Sequence, residues 1–363
     1  MKILIVCPRL CHGGAERVAV TLANGFVEHG YDVVMMSNLF DEISYTVSDK
    51  VRLVNLFTSQ DNKMRKWVGA IGNIRRVLKQ DTPNVIIGIM QLCSFVARLA
   101  AIGFHIPVIA TEHNAYDRPH GVKMTLLGKI FKYHVNKIYD RVTVLTHADY
   151  KLIENRMSNV VVMPNPLAFS PVKEVPQHKQ KVILAAGRVD NWHNKGFDVL
   201  LRAWGRIAQD FHDWTLEIAG VYKDPQTRIY LDSVAQEADI KDRLHYLGFQ
   251  DDMQSLFQRS SVFVLSSRYE GFGLVLIEAM SQGCACVACD YNGRQREIIT
   301  SRDEGVLCLP DSVDDLAQSL RKVLSDDDYR YDIQRGGLKR SEYYSVGHIV
   351  SMWENLFRSL DKK

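Results

Sequence analysis

The feature that most constrains this chain is a series of short, uninterrupted apolar runs that occurs once, stops, and begins again. The first series is MKILIVCP at the start, then residues 32–37 (DVVMMS), 84–89 (NVIIGI), 107–111 (PVIAT), 141–146 (RVTVLT) and 159–164 (NVVVMP). The second is 181–187 (KVILAAG), 215–220 (TLEIAG), 244–248 (LHYLG), 261–267 (SVFVLSS), 284–290 (CACVACD) and 305–310 (GVLCLP). Runs this short and continuous fit strands buried on both faces, because a half-exposed strand would alternate. Helical periods lie between them; in residues 15–28, Val18, Leu22 and Phe26 share one face. The alternation predicts parallel sheets covered by helices on both sides. Residues 164–180 break the rhythm with prolines, polar residues and no period. The expected architecture is therefore α/β: two doubly wound parallel-sheet, Rossmann-like domains facing a cleft. The domains are 1–166 and 181–346, joined by a linker at 167–180. The amphipathic segment 347–363 is a candidate to join the first domain.

A chain of 363 residues agrees with two domains of about 150 residues each. No window reaches the roughly 18 apolar residues of a membrane span. The opening MKILIVCPRL reads as a buried strand and not a signal peptide, since Pro8 and Arg9 end the apolar run. Seven scattered cysteines argue for a reducing compartment and against a disulfide framework. Cys284, Cys286 and Cys289 fall within one apolar run, which favours buried thiols over metal ligands. Asp326, Asp327 and Asp328 read as a helix cap. No metal and no bound cofactor is expected.

Ligands of such sheets bind beyond the carboxyl ends of the strands, so the loops there matter most. After the first strand comes Cys11-His12-Gly13-Gly14-Ala15-Glu16-Arg17. Paired glycines at a helix mouth allow close approach of an anion. The G-x-G-x-x-G fingerprint of dinucleotide enzymes is missing, which disfavours an oxidoreductase. After residues 181–187 come Arg188 and Lys195; together they suit a diphosphate, although two solvated loop cations would look the same. In residues 260–283 a strand runs into Glu270, then Gly271-Phe272-Gly273-Leu274, then a helix containing Glu278. The glycines leave backbone amides for phosphate or sugar oxygens. Glu278 stands among Leu276, Ile277, Ala279 and Met280, a poor place for an idle charge.

The segment EGFGLVLIEAM, with Glu270 and Glu278 eight apart, resembles the signature of family 4 retaining glycosyltransferases, which have the two-Rossmann GT-B fold. The GGAERV loop, the Arg188 to Lys195 segment, YLGF (246–249) and TEHN (111–114) follow in the order of that family, so the resemblance covers nearly the whole chain. It implies that Arg188 and Lys195 bind the diphosphate and stabilise its departure. It further implies Glu278 on the ribose hydroxyls and Glu270 on the donor sugar. Gly271, Phe272, Gly273 and Leu274 would border the donor, and Gly248 and Phe249 its base. Gly14 would lie near the phosphates or sugar and His113 near the sugar. One departure concerns donor selectivity: residues 291–297 read YNGRQRE where the family often has Gly-Pro before the acid. An inverting route would instead need a general base, with His12 or Asp117 as candidates.

The expected reaction moves a sugar from a nucleoside diphosphate sugar, UDP ahead of GDP, to a glycan or lipid-linked glycan acceptor in cell-surface polysaccharide or glycoconjugate assembly. A nucleotide-sugar epimerase and a catalytically silent nucleotide-sugar-binding protein remain the alternatives. Charge is uneven: residues 1–170 carry 20 Lys and Arg against 13 Asp and Glu, the remainder 25 against 29. The basic half concentrates charge in two amphipathic segments, 63–79 and 122–142. In the second, Leu127, Phe131, His134 and Ile138 are expected to face one way and Lys129 and Lys132 the other. An anionic membrane surface is the candidate partner, placing the protein in the cytoplasm at the inner face of the membrane. Nucleic acid is disfavoured, as no basic stripe carries interleaved stacking aromatics.

Overall fold

The computed structural model describes residues 1–11, 13–58, 63–117 and 124–360, with the side chains of residues 63 and 64 also outside that description. His12 and the start of the 122–142 segment therefore lie outside the described residues. Two compact units divide the chain: 1–117, 124–168 and 346–360 form the first, and 169–345 the second.

The first unit contains β1 (Lys2–Val6), β2 (Asp32–Ser37), β3 (Arg52–Asn55), β4 (Val85–Ile89), β5 (Val108–Thr111), β6 (Arg141–Val144) and β7 (Val160–Val162). Among the described residues these form one parallel sheet in the order β3-β2-β1-β4-β5-β6-β7. Its helices are α1 (Gly14–Glu28), α2 (Lys63–Asp81), α3 (Met90–Ala101), α4 (Leu126–Tyr133) and α5 (His147–Ile153). Leu4 of β1 aligns with Val34 and Ile86 on its two neighbours, and all three are buried in one core with Ile74, Leu78 and Val108. A strand flanked on both edges and covered on both faces has no polar side, hence the continuous apolar runs. The edge strand β3 was not predicted: RLVN is short, half-exposed and carries an exposed Arg52. The C-terminal helix, Val346–Leu360, packs on α1. Phe26 meets Trp353 edge-on at 6.1 Å and Phe357 at 5.7 Å. Gly25 admits this contact, because a Cβ there would overlap Val346.

The 122–142 segment departs from its expected amphipathicity. It breaks into α4 and a short 3-10 turn at Val135–Ile138. Leu126, Leu127, Ile130 and Ile138 are exposed, and so is His134, while Lys132 and Asn136 are buried. The reason is polar: Lys132 Nζ donates to Ala115 O at 2.9 Å and Tyr116 O at 3.2 Å, and lies 4.5 Å over the Tyr116 ring. Asn136 donates to Glu112 and to the Tyr116 hydroxyl. A buried ammonium that satisfies loop carbonyls turns the helix so that its leucines face out.

The second unit contains β8 (Gln180–Ala186), β9 (Thr215–Ala219), β10 (Leu244–Gly248), β11 (Ser260–Leu265), β12 (Ala285–Cys289) and β13 (Val306–Cys308). Among the described residues they form a second parallel sheet, β10-β9-β8-β11-β12-β13. The covering helices are α6 (Trp192–Lys195), α7 (Phe197–Gly205), α8 (Pro225–Glu237), α9 (Met253–Arg259), α10 (Leu274–Ser281), α11 (Val313–Ser325) and α12 (Asp327–Ser341). Trp204, Phe197 and Trp214 anchor the core between β8, β9 and α7. Asp326 caps α12 by accepting from the Tyr329 amide. All seven cysteines are buried free thiols.

Candidate functional site

Strand order reverses in each sheet at one point, where neighbouring strands send their crossovers to opposite faces and leave a crevice at their carboxyl ends. In the second unit that point lies between β8 and β11. Arg188 lies in the loop after β8 and Lys195 ends α6, which follows it; the loop after β11 carries Glu270. Lys195 Nζ lies 2.7 Å from Glu270 Oε2, and Ser267 donates to the same carboxylate oxygen at 3.3 Å. Both charged side chains are largely but not wholly buried, 21% and 16% exposed. Two glycines create this geometry. Lys195 runs its methylenes along Gly187, where a Cβ would crowd them. Gly196 takes φ 64°, ψ 28° and closes α6, and a Cβ there would overlap Ser266 O. Left-handed backbone and close approach both demand glycine at this position. Ser266 Oγ then donates to Lys195 O at 2.9 Å, tying the two loops together. Arg188 is exposed in the loop after β8.

Glu270 leads into Gly273, the N-cap of α10, at φ 96°. The first-turn amides of α10 follow in sequence. Phe272 is buried, edge-on to Tyr344 at 5.7 Å, and Gln295 Nε2 donates to Phe272 O at 3.3 Å. Gln295 also accepts from the Tyr291 amide at 2.8 Å, so the 291–297 segment braces the glycine loop. Glu278, one turn into α10, is fully buried. Gly248 ends β10 at φ 69°, where glycine is favoured for its dihedral and not for space, since a Cβ would touch nothing. Phe249 beside it is half-exposed, and Gly220 donates to Gly248 O at 2.7 Å.

In the first unit the order reverses between β1 and β4. A cavity of about 350 Å³ opens there, lined by Pro8 after β1, Met90 and Gln91 after β4, and Glu112 and His113 after β5, with Trp67 and Lys132. Met90 adopts φ 65°, a rare left-handed conformation for a non-glycine residue. Thr111 contacts His113. Its hydroxyl lies 3.1 Å from Gly88 O and 3.0 Å from His113 Nε2, within hydrogen-bond distance of both. Burial pushes the His113 pKa down to about 4, against a weaker opposing influence of Asn165. Of the glycine pair, Gly13 lies against the Glu16 carboxylate, which a Cβ would displace and which pairs with Arg9 at 3.0 Å. Gly14 is exposed with open space over it.

The second unit thus gathers Arg188, Lys195, Glu270, the 271–274 loop and Glu278 around one switch point, with Gly248 and Phe249 at the end of a neighbouring strand. Gly14 and His113 belong to the first unit. Sequence reasoning missed Arg268, Asp198 and Gln295, which hold these loops. Asp198 carried a legible signal, a carboxylate within the apolar stretch FDVLL. Gln295 carried none. Among the described residues no group of three or more His, Cys, Asp or Glu side chains is placed to hold a metal ion.

Two Rossmann-like parallel sheets, each with a switch point at the carboxyl ends of its strands, define the class of double-Rossmann proteins. Residues 12–168 match the family model Glycosyltransferase Family 4, and residues 169–340 match Glycosyl transferases group 1. The chain belongs to the family 4 glycosyltransferases and is a glycosyltransferase enzyme of GT-B fold. It is 26% identical, over 98% of both chains, to a Campylobacter jejuni α-1,4-N-acetyl-D-galactosaminyltransferase whose name gives a glycan on PP-undecaprenol. Among solved structures, it resembles sucrose-phosphate synthase from Thermosynechococcus elongatus at TM-score 0.80, with 18% identity over 99% of both chains. Anabaena HepE in complex with UDP follows at TM-score 0.76, with 15% identity over 99% of this chain and 100% of that one.

Proposed function

We propose that the enzyme takes its sugar from a nucleoside diphosphate sugar, UDP ahead of GDP, and delivers it to a glycan or lipid-linked glycan with retention of anomeric configuration and without a metal. The observation that carries the donor assignment is the meeting of Lys195 and Glu270 at the switch point of the second unit. Charge develops on the diphosphate as the bond to the sugar breaks, and cations fixed beforehand stabilise it without reorganising. Lys195 and Arg188 fill that role. Glu270 accepts from donor sugar hydroxyls, Glu278 from ribose hydroxyls, and the amides of residues 271–274 meet phosphate or sugar oxygens. Gly248 and Phe249 border the base. Gly14 gives a phosphate or sugar room to approach, and His113, uncharged at neutral pH, offers a hydrogen-bonding group to the sugar. In the retaining route the acceptor oxygen attacks from the face that the diphosphate leaves. UDP in HepE and the undecaprenol-linked glycan of the Campylobacter relative support the donor and acceptor classes.

A thermal-shift panel of UDP, GDP, ADP, CMP and NAD tests the donor. Ligand at 100 times its dissociation constant adds about 2.7 kcal/mol, and the expected result is a rise with UDP that Lys195→Ala cuts by about half or more. No rise with any nucleoside diphosphate overturns the reading.

The exposed Leu126, Leu127 and Ile130 beside the exposed Lys129 favour a second assignment, contact with an anionic membrane at its cytoplasmic face. Among the described residues no helix is long and apolar enough to cross a membrane.

A further inference from the structure

We infer that Arg268 is a positioning residue for the donor site: its guanidinium holds the turn that carries Lys195 against the loop that carries Glu270. The inference rests on the proposed donor reading and deepens it, because it names what places the cation before the diphosphate arrives.

Arg268 stands two residues before Glu270, and its contacts bracket Lys195 on both sides. Nη1 and Nη2 donate in parallel to Asp198 Oδ1 and Oδ2 at 2.7 and 2.8 Å. Asp198 is a buried carboxylate in the first turn of α7, just after Lys195 and Gly196. Nη1 also donates to His193 O at 2.8 Å, just before Lys195. The main chain repeats the link: the Arg268 and Tyr269 amides both donate to Asn194 O, at 2.8 and 3.2 Å. Nε reaches Asp311, beyond β13, at 2.6 Å, which braces the plane from outside.

This arrangement uses the geometry of a guanidinium and not just its charge. The fork matches both Asp198 oxygens while the third nitrogen engages a second acid, which a lysine ammonium on one flexible stem cannot reproduce. The partners lie at the carboxyl edge of the sheet: the first turn of α7, the backbone of α6 and the loop beyond β13. With Arg268 removed, the turn 193–198 keeps its glycine contact to Ser266 but loses its bracket. Lys195 Nζ then samples positions away from Glu270 and from a diphosphate. In catalysis, a shift of a positioned cation lowers turnover more than folding.

Amide hydrogen exchange and kinetics on Arg268→Gln, Arg268→Lys and Asp198→Asn test the inference. The amides of Gly196 and Tyr269 report the junction directly, since they donate to His193 O and Asn194 O. Arg268→Gln and Asp198→Asn should each speed exchange at residues 196 and 269 at least tenfold, with β9 and β10 unchanged. Turnover should fall at least tenfold while the acceptor KM stays within twofold, and Arg268→Lys should restore melting temperature but not turnover. Guanidinium ion should rescue Arg268→Ala and leave Lys195→Ala inactive. Exchange at 196 and 269 within twofold of wild type in both variants, or losses that track melting temperature and are repaired by lysine, would overturn it. A wild-type protein inert toward every nucleotide sugar would defeat the donor reading alone, and the exchange data would still decide the bracket.

Discussion

Lys195 and Glu270, 75 residues apart in the chain, form an ion pair with Nζ 2.7 Å from Oε2. The pair sits where β8 and β11 diverge, and it is partly open to water. On the proposed donor reading, an arriving diphosphate would compete with Glu270 for the ammonium and free the carboxylate for sugar hydroxyls.

The two side chains should therefore fail differently. On that reading Lys195→Ala would remove a charge-assisted hydrogen bond to the diphosphate, worth about 1.5–3 kcal/mol, so UDP affinity should drop roughly 10- to 150-fold. Glu278→Ala should also weaken UDP binding. Glu270→Ala should lower turnover more than UDP affinity. Calorimetric titration with UDP beside steady-state kinetics separates these outcomes, and unchanged binding and activity in all three variants would defeat the site assignment.

Gly196 offers a test through the backbone. Its φ of 64° costs an alanine about 1–2 kcal/mol, and the new Cβ would also overlap Ser266 O. Gly196→Ala should lower the melting temperature by several degrees and weaken UDP binding, because the turn under Lys195 must move. Gly14→Ala is the control: its Cβ meets nothing within 4 Å, so stability should hold. Equal melting temperatures for both variants would contradict the steric account.

Much of this was legible in the sequence because both-face burial leaves continuous apolar runs. Val33 to Met36 and Val262 to Leu265 are buried throughout, so neither strand needed a polar side. The edge strand β3 escaped because one exposed edge dilutes the signal to three half-buried residues and the exposed Arg52. Lys195, Glu270 and the 271–273 loop were legible as loop chemistry, but not their mutual pairing. That contact follows from strand order, which no local pattern encodes. The exposed side of α4 was misread for a related reason. Periodicity identifies an apolar stripe, but the buried Lys132 decides which way the stripe faces.

His113 gives the fold a pH dependence of definite sign. Its folded pKa of about 4 lies below the roughly 6.5 of an unfolded histidine. Between those values the unfolded chain binds a proton that the folded one does not, so stability rises with pH across the window and falls on acidification. The loss from pH 6.5 to pH 4 should reach at most about 3 kcal/mol. His113→Gln, which cannot titrate, should lose less over the same interval. Parallel urea midpoints for both proteins from pH 7 to 4 would show that the imidazole is not held neutral.

The outward leucines of α4 make a last prediction. Leu126 and Leu127 are 75% and 70% exposed, a poor use of apolar surface in water. Lys129 lies between Leu127 and Ile130 on the exposed side. Near an anionic surface each such cation contributes about 1 kcal/mol, and that part is screened by salt. The protein should therefore float with anionic vesicles more than with neutral ones, and less at high salt. Leu127→Glu should reduce flotation while leaving UDP binding intact, because the substitution touches neither switch point. Lys129→Glu should act through charge and abolish the salt dependence. Equal, negligible flotation on both vesicle types would leave α4 without a membrane role and return its leucines to the class of tolerated surface residues.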